Sequence, residues 1–257
     1  MTLTGVLGHP VAHSRSPAMM TAAFLELRLD WRYLRLPVPP EQFRGTVRAL
    51  PASGFVGANV TIPHKLVALE IADEATPAAQ AIGAANTLSF ADGRIEADNT
   101  DAGGLLDAIG ELPKSALVLG AGGAARAAAW ALREAGSEVA IWNRTADRAA
   151  HLADKLDLRQ VDTPEPAELW VNATSVGLEP GSDASEELGL AALEPPQVLV
   201  DLVYGSEPTA LERWGTRAGV RVVSGIEVLV RQGARSLERW TGRRAPIATM
   251  RAAIKNV

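Results

Sequence analysis

One stretch near the middle of the chain limits the possible folds more than any other. Ala116 to Leu119 is an apolar run that breaks at Gly120-Ala121-Gly122-Gly123-Ala124-Ala125, and an alanine-rich helical pattern follows from Arg126 to Ala135. The order is strand, tight turn, helix. Gly120, Gly122 and Ala125 fit the G-x-G-x-x-G/A form of a dinucleotide-binding turn. In that form the first glycine makes the turn and the second lets backbone N–H groups approach a pyrophosphate, while the small third residue lets helix and strand pack closely. The helix N-terminus adds unpaired N–H donors and partial positive charge. A glycine-rich turn also serves as a plain strand–helix connection, so the flanking sequence decides its meaning.

A chain of 257 residues has room for two cores. The net charge of −5, with no basic run, argues against a nucleic-acid partner. No segment approaches the ~18 uninterrupted apolar residues of a membrane span, and the N-terminus lacks a basic region followed by an apolar one. The absence of cysteine excludes disulfides, thiolate nucleophiles and Cys-ligated metals. His9, His13, His64 and His151 show no ligand spacing, so no metal is expected. These features lead us to expect a soluble cytoplasmic protein. Lys65, Lys114, Lys155 and Lys255 are the only lysines, and Lys65 stands out because lysine, unlike arginine, can give up its proton.

Read in order, Thr4 to Gly8 is a short strand that runs into His13-Ser14-Arg15-Ser16-Pro17, where Ser16 is placed as N-cap of a helix reaching Leu27. Two hydroxyls at a helix mouth can cap it or hold a carboxylate. Trp31 to Pro37 alternates as a strand, and Pro40 to Ala49 reads as a helix. Phe55 to Ile62 is strand-like, and Pro63 ends it before a helix from Lys65 to Ala72. Asn59, Thr61 and Lys65 therefore gather at one strand end, where ligands of α/β sheets usually bind. Ala81 to Phe90 reads as a second strand carrying Asn86, then an Asp-Gly hairpin turn. Asp101 falls in a segment linking to a helix from Leu105 to Ile109, where capping is the plain alternative. From Ser115 strands and helices alternate regularly, as a parallel sheet with crossover helices requires. Gly177 to Pro196 reads as loop with one short helix.

A turn that binds NAD normally carries an acid about 20 residues on, at the end of the second strand. Here that position holds Asn143-Arg144-Thr145, with Arg148 one turn later. A carboxylate would repel a 2′-phosphate, whereas Arg144 can pair with it, so the expected cofactor is NADP(H).

Several further motifs form one ordered set: His13-Ser14-Arg15-Ser16-Pro17, Asn59-Val60-Thr61-Ile62-Pro63-His64-Lys65, Gly83 to Thr87, Asn99-Thr100-Asp101, the Gly120 turn, Asn143-Arg144-Thr145, Asn172 to Ser175, Asp201 to Tyr204 and Gln232-Gly233. The chain resembles the shikimate dehydrogenases over nearly its whole length. The resemblance implies an α/β protein with a substrate domain (1–103), a doubly wound Rossmann-type NADP domain (104–232) and C-terminal helices that return to the first domain (233–257). It implies NADPH-dependent reduction of 3-dehydroshikimate to shikimate, in aromatic amino-acid biosynthesis, by a monomer or homodimer. Carried over by position, Ser14 and Ser16 hold the substrate carboxylate with Tyr204, while Asn59, Thr61, Asn86 and Gln232 bind the ring hydroxyls. Lys65 and Asp101 stand at the reacting oxygen. Gly120, Ala121, Gly122, Gly123 and Ala124 cradle the pyrophosphate. Asn143, Arg144, Thr145, Arg148 and Thr174 complete the nucleotide site, and Leu202 and Gly225 lie beside the nicotinamide.

The residue types agree with that chemistry, because hydride transfer belongs to the cofactor and the protein must place the carbon and manage one proton. Lys65 can donate it to the developing alkoxide, and Asp101 orients the ammonium; which is the primary acid stays open. The chain departs from the usual family pattern at Met19-Met20-Thr21, Val228-Leu229 and Ser206. Preference for quinate, which carries an extra hydroxyl, is the nearest alternative. A non-catalytic NADP sensor is the alternative from another class, and retention of Lys65 with Asp101 argues against it.

Overall fold

The computed structural model describes residues 1–177, 183–205 and 207–255. It divides into two compact units, Met1–Gly104 with Leu229–Val257, and Leu105–Val228. The expected boundaries were residues 103 and 233. The return falls earlier, at Leu229, inside one continuous C-terminal helix, so no break in the chain marks it.

The first unit contains β1 (Thr2–Gly8), α1 (Ser16–Glu26), β2 (Trp31–Pro37), α2 (Phe43–Ala49), β3 (Phe55–Val60), α3 (Lys65–Glu70), β4 (Glu74–Ala75), α4 (Pro77–Ile82), β5 (Thr87–Ala91), β6 (Arg94–Asp98) and the start of α5 (Thr100–Ile109). Its sheet runs β2-β1-β3-β5-β6-β4. β1 pairs in parallel with β2 and β3, and β5 is antiparallel to both β3 and β6. Leu7, Phe43, Val47, Ala58, Val60 and Leu88 form its buried core. The β5–β6 connection is the Asp-Gly hairpin, with Asp92 and Gly93 both at positive φ.

Three local readings change. Ser16 opens α1 but does not cap it, since Arg15 holds the cap position and no side chain caps the helix. The expected strand from Ala81 begins instead as α4. Thr76 accepts the Ala79 N–H and Pro77 opens the helix, whereas Gly83, at φ 73°, closes it. A run of small apolar residues suits either element, and the upstream Thr-Pro cap decides. Asp101 lies in the first turn of α5, which starts at Thr100 and not at Leu105, because Asn99 accepts the Ala102 N–H.

The second unit contains β7 (Ser115–Leu119), α6 (Gly123–Glu134), β8 (Glu138–Trp142), α7 (Ala146–Leu156), β9 (Arg159–Gln160), β10 (Leu169–Asn172), α8 (Ala184–Glu187), β11 (Val198–Asp201), α9 (Ala210–Arg217) and β12 (Arg221–Ser224). Its sheet is parallel throughout, in the order β12-β11-β10-β7-β8-β9. This is the doubly wound arrangement, and the order reverses between β7 and β10, where such sheets bind ligands. Along β7, Ala116 and Val118 join one core while Leu117 and Leu119 join the other. Both faces of the sheet are therefore covered, as a parallel sheet requires. α8 is the short helix expected between Gly177 and Pro196; residues 178–182 of that segment lie outside the described residues. α9 was not read from sequence, although Thr209 and Glu212 form a capping box at its start.

α10 (Gly225–Thr241) and α11 (Ile247–Ala252) complete the chain. In the first unit α10 packs onto the sheet. The Trp240 indole occupies the space a side chain at Gly57 would need, and its Nε1–H donates to Leu88 O at 3.0 Å. No helix among the described residues is long and apolar enough to cross a membrane.

Candidate active site

In the first unit the chain brings Lys65, Asn86, Asp101 and Gln232 together through backbone links. The Ala85 N–H donates to Lys65 O at 2.8 Å, fixing the start of α3 against the residue before Asn86. Val60 N–H donates to Asn86 O and Asn86 N–H to Asp98 O, so that Asn86 is held on both sides. Its side-chain oxygen accepts the Thr100 N–H at 2.7 Å, which satisfies a first-turn donor of α5. That bond decides which way the amide points. The Asn86 NH₂ group must then face Asp101 Oδ1, at 2.7 Å, and Gln232 Oε1, at 3.2 Å.

Asp101 uses its other oxygen to accept from Lys65 Nζ at 2.6 Å. Both side chains are mostly buried, 14% and 18% exposed. Each oxygen of the Asp101 carboxylate thus accepts one side-chain donor. The Lys65 ammonium has three donors and gives one to Asp101, so two remain for a ligand. The helix that carries Lys65 is anchored one residue earlier. His64 is buried, stacks on Phe43 with ring centroids 4.3 Å apart, and hydrogen-bonds through Nε2 to Val38 O at 2.7 Å. Burial holds the His64 imidazole below its ordinary pKa, partly opposed by that backbone bond.

Ser14 and Ser16 lie together at the start of α1, both buried, with the Ser16 N–H donating to Ser14 Oγ at 3.3 Å. Arg35 on β2 fixes this loop by donating from Nε and Nη2 to Ser14 O. The hydroxyls of Ser16 and Thr61 have no hydrogen-bond partner among the described residues. Asn59, grouped with the ligand-facing residues from sequence, is placed differently. Its Oδ1 accepts from Tyr33 and its NH₂ faces Asn86 O, Thr87 Oγ1 and Ser236 Oγ, all within 3.1 Å. Two hydrogens already have three acceptors, so the amide is committed internally.

In the second unit the Gly120 turn joins β7 to α6. Gly120 has φ 116°, and a Cβ there would stand 2.9 Å from Ala173 O; only glycine fits. A Cβ on Gly122 would meet nothing within 4 Å. Open space at the second glycine is what a bound pyrophosphate needs. Gly122 is also the N-cap of α6, and no side chain caps the helix, so its first N–H groups are left for an anion. Ala121, Gly123 and Ala124 line the same turn. Arg144 and Arg148 are exposed at the end of β8 and in the first turn of α7, and neither has an acidic partner among the described residues. Asn143 donates to Thr145 O and shapes this corner. The residues present thus fit a phosphorylated dinucleotide on both counts.

Beside this turn, at the carboxyl end of the neighbouring strand β10, Thr174 folds its hydroxyl onto Asn172 Oδ1 at 2.7 Å. Asp201 accepts from Asn172, Val203 N–H and Thr209 and so fixes the turn leading to Leu202 and Tyr204. Burial pushes the Asp201 carboxyl up, against the pull of these three donors. Gly225 begins α10 where a side chain would strike the carbonyls of Asp201, Leu202 and Val203, each within 2.9 Å. No group of residues able to hold a metal occurs among the described residues.

Comparison with known proteins agrees with both halves. The shikimate dehydrogenase substrate binding domain matches residues 6–88, shikimate / quinate 5-dehydrogenase matches 107–170, and the shikimate 5′-dehydrogenase C-terminal domain matches 225–255. Shikimate dehydrogenase (NADP(+)) of Methanothermobacter thermautotrophicus is 42% identical, over 99% of this chain and 96% of that protein. The chain belongs to the shikimate dehydrogenase family. The enzyme of the same name from Anaeromyxobacter sp. (strain Fw109-5) is 46% identical over 98% and 95% of the two chains. Shikimate 5-dehydrogenase of Thermus thermophilus, solved in complex with NADP(H) and shikimate, superposes with a TM-score of 0.88 at 42% identity, covering 98% of each chain.

Sequence reasoning missed the hydroxyls behind Asn86. Thr87, Thr100 and Ser236 are buried there and bonded to one another. The signal for Ser236 was its spacing: four residues after Gln232 on one helix, it shares that residue's face.

Proposed function

We propose that this chain catalyses the reversible, NADP(H)-dependent interconversion of 3-dehydroshikimate and shikimate. The observation that carries the reading is the Lys65–Asp101–Asn86 set on the sheet of the first unit, in a chain whose second unit offers a phosphate cradle and exposed arginines at the next strand end. When bound, the nicotinamide supplies or accepts the hydride. It would be held by Gly120 to Ala124 at its pyrophosphate, by Arg144, Thr145, Arg148 and Asn143 at its 2′-phosphate end, and by Thr174, Leu202 and Gly225 near the ring.

The chain's own residues manage the rest. Ser14 and Ser16 receive the substrate carboxylate, and Thr61, Asn86 and Gln232 receive ring hydroxyls. Gln232 gives one N–H to Leu229 O and keeps a second for the ligand. Lys65 donates a proton to the oxygen that becomes the alkoxide during reduction and takes it back in oxidation. Asp101, holding a donor on each oxygen, orients the ammonium, and this favours Lys65 as the acid. Asn59 supports the site from behind.

The test is nicotinamide absorbance during oxidation of shikimate and, separately, of quinate, each with NADP⁺ and NAD⁺. Shikimate with NADP⁺ should give the highest kcat/KM. A faster reaction with quinate would reassign the substrate, and no turnover of either would overturn the reading.

A further inference from the structure

Four elements of the first unit converge on one buried oxygen. Ser236 Oγ, on α10 and fully buried, lies 2.9 Å from Asn59 Nδ2 of β3, 2.9 Å from Thr87 Oγ1 of β5 and 3.1 Å from Thr100 Oγ1 of α5. Its fourth neighbour is Gln232 O, at 3.1 Å, one turn back on its own helix. A hydroxyl offers one hydrogen and two lone pairs, so it satisfies at most three of these four. Asn59 Nδ2 can only donate and Gln232 O can only accept. With the Ser236 hydrogen on Gln232 O, one lone pair takes the Asn59 N–H and the other takes a threonine hydroxyl. The remaining threonine hydrogen turns to Asn86 Oδ1, which lies 3.0 Å from Thr87 Oγ1 and 3.1 Å from Thr100 Oγ1.

We propose that Ser236 is a positioning residue for the reaction, whose hydroxyl ties the helix carrying Gln232 to the strand end carrying Asn86 and to the helix turn carrying Asp101. The argument rests on the dehydrogenase reading above. The path is short. Ser236 sets the threonine hydroxyls, these and the Thr100 N–H fix the amide of Asn86, and Asn86 holds Asp101 Oδ1 and Gln232 Oε1 at once. Gln232 and Asp101, the partner of Lys65, come from segments far apart in sequence, and this oxygen is where their two helices meet. Removing it leaves the Asn59 N–H with poorer acceptors and lets the threonines rotate, so Gln232 loses its register against Asp101. Small misplacements of ligand-holding groups cost rate more than affinity for a remote part of the ligand.

The experiment uses the full chain with Ser236→Ala, and separately with Thr100→Val, which keeps the side-chain volume and the backbone N–H to Asn86. Steady-state kinetics are run well below the thermal midpoint of each variant, with NADPH affinity measured by fluorescence. Each change should lower kcat roughly tenfold while the NADPH Kd stays within about twofold. The double variant should be no slower than about the worse single one, because both break the same linkage. If Ser236→Ala does not fold, Thr100→Val carries the test alone. Variants with kcat within about twofold of the parent, whatever their thermal midpoints, would overturn the proposal, as would fully multiplicative losses in the double variant. If the parent itself fails to oxidise shikimate, the functional reading falls instead, and the two failures are distinguished.

Discussion

The two units build their ligand-binding features in opposite ways. In the first, side chains hold one another: Lys65, Asp101, Asn86 and Gln232 are hydrogen-bonded together, and a buried set of hydroxyls supports them. In the second, the backbone makes the site. Gly120 and Gly122 shape a turn, the N-terminus of α6 is uncapped, and Arg144 and Arg148 stand exposed without acidic partners among the described residues. The first arrangement is preorganised for moving one proton, and the second is an electrostatic seat that is incomplete without an anion.

Changing Arg144 should break the contrast most visibly. Arg144→Asp removes a charge-assisted partner of the 2′-phosphate and adds a repelling charge. The ratio of kcat/KM for NADP⁺ over NAD⁺ should fall by roughly a hundredfold, since hydrogen bonds to charged groups are worth about 1.5–3 kcal/mol each. An unchanged ratio would remove Arg144 from the cofactor site.

The two glycines of the turn should separate stability from binding. Gly120→Ala places a methyl group against Ala173 O at a φ of 116°, so the fold should lose on the order of 1–3 kcal/mol in denaturant unfolding. Gly122→Ala meets nothing in the chain, and its stability should stay within about 0.5 kcal/mol of the parent. Its NADPH Kd should rise by about tenfold, one such step being about 1.4 kcal/mol. Unaltered NADPH affinity in this variant would mean that the space beside Gly122 is not where the pyrophosphate lies.

His64 should give the smallest effect. Burial lowers its pKa in the folded chain, so below the ordinary imidazole value near 6.5 the unfolded chain takes up a proton that the folded chain refuses. Stability contributed by neutral His64 is therefore complete above about pH 6.5 and declines as the pH falls toward the lowered folded value. His64→Phe keeps the stacking on Phe43 and should flatten that part of a stability–pH curve measured by urea unfolding. A curve of the same slope would assign the acid sensitivity to other groups.

The same contrast explains what could be read from the sequence. The dinucleotide unit was legible because its requirements are backbone requirements: a left-handed Gly120, an open Gly122 and regular alternation of strand and helix all leave marks in residue type and spacing. The β8 corner was legible because Arg144 stands where an acid would otherwise stand. The first unit was legible only as a set of motifs. Asn86, Lys65 and Asp101 could be named, but the inward commitment of Asn59 follows from where Tyr33 and Ser236 end up in three dimensions. The start of α4 was lost because Ala78 to Ala85 suits a helix or a strand equally, and α5 began earlier than expected because Asn99 caps it.

The central claim is that Lys65 moves a proton and does more than lend charge. Lys65→Arg tests this most directly, because arginine keeps the positive charge beside Asp101 and does not give up its proton in the relevant pH range. Turnover of shikimate with NADP⁺ should fall by about two orders of magnitude or more, with the NADPH Kd unchanged. A kcat within a few-fold of the parent would contradict the account and leave Lys65 as an electrostatic partner only.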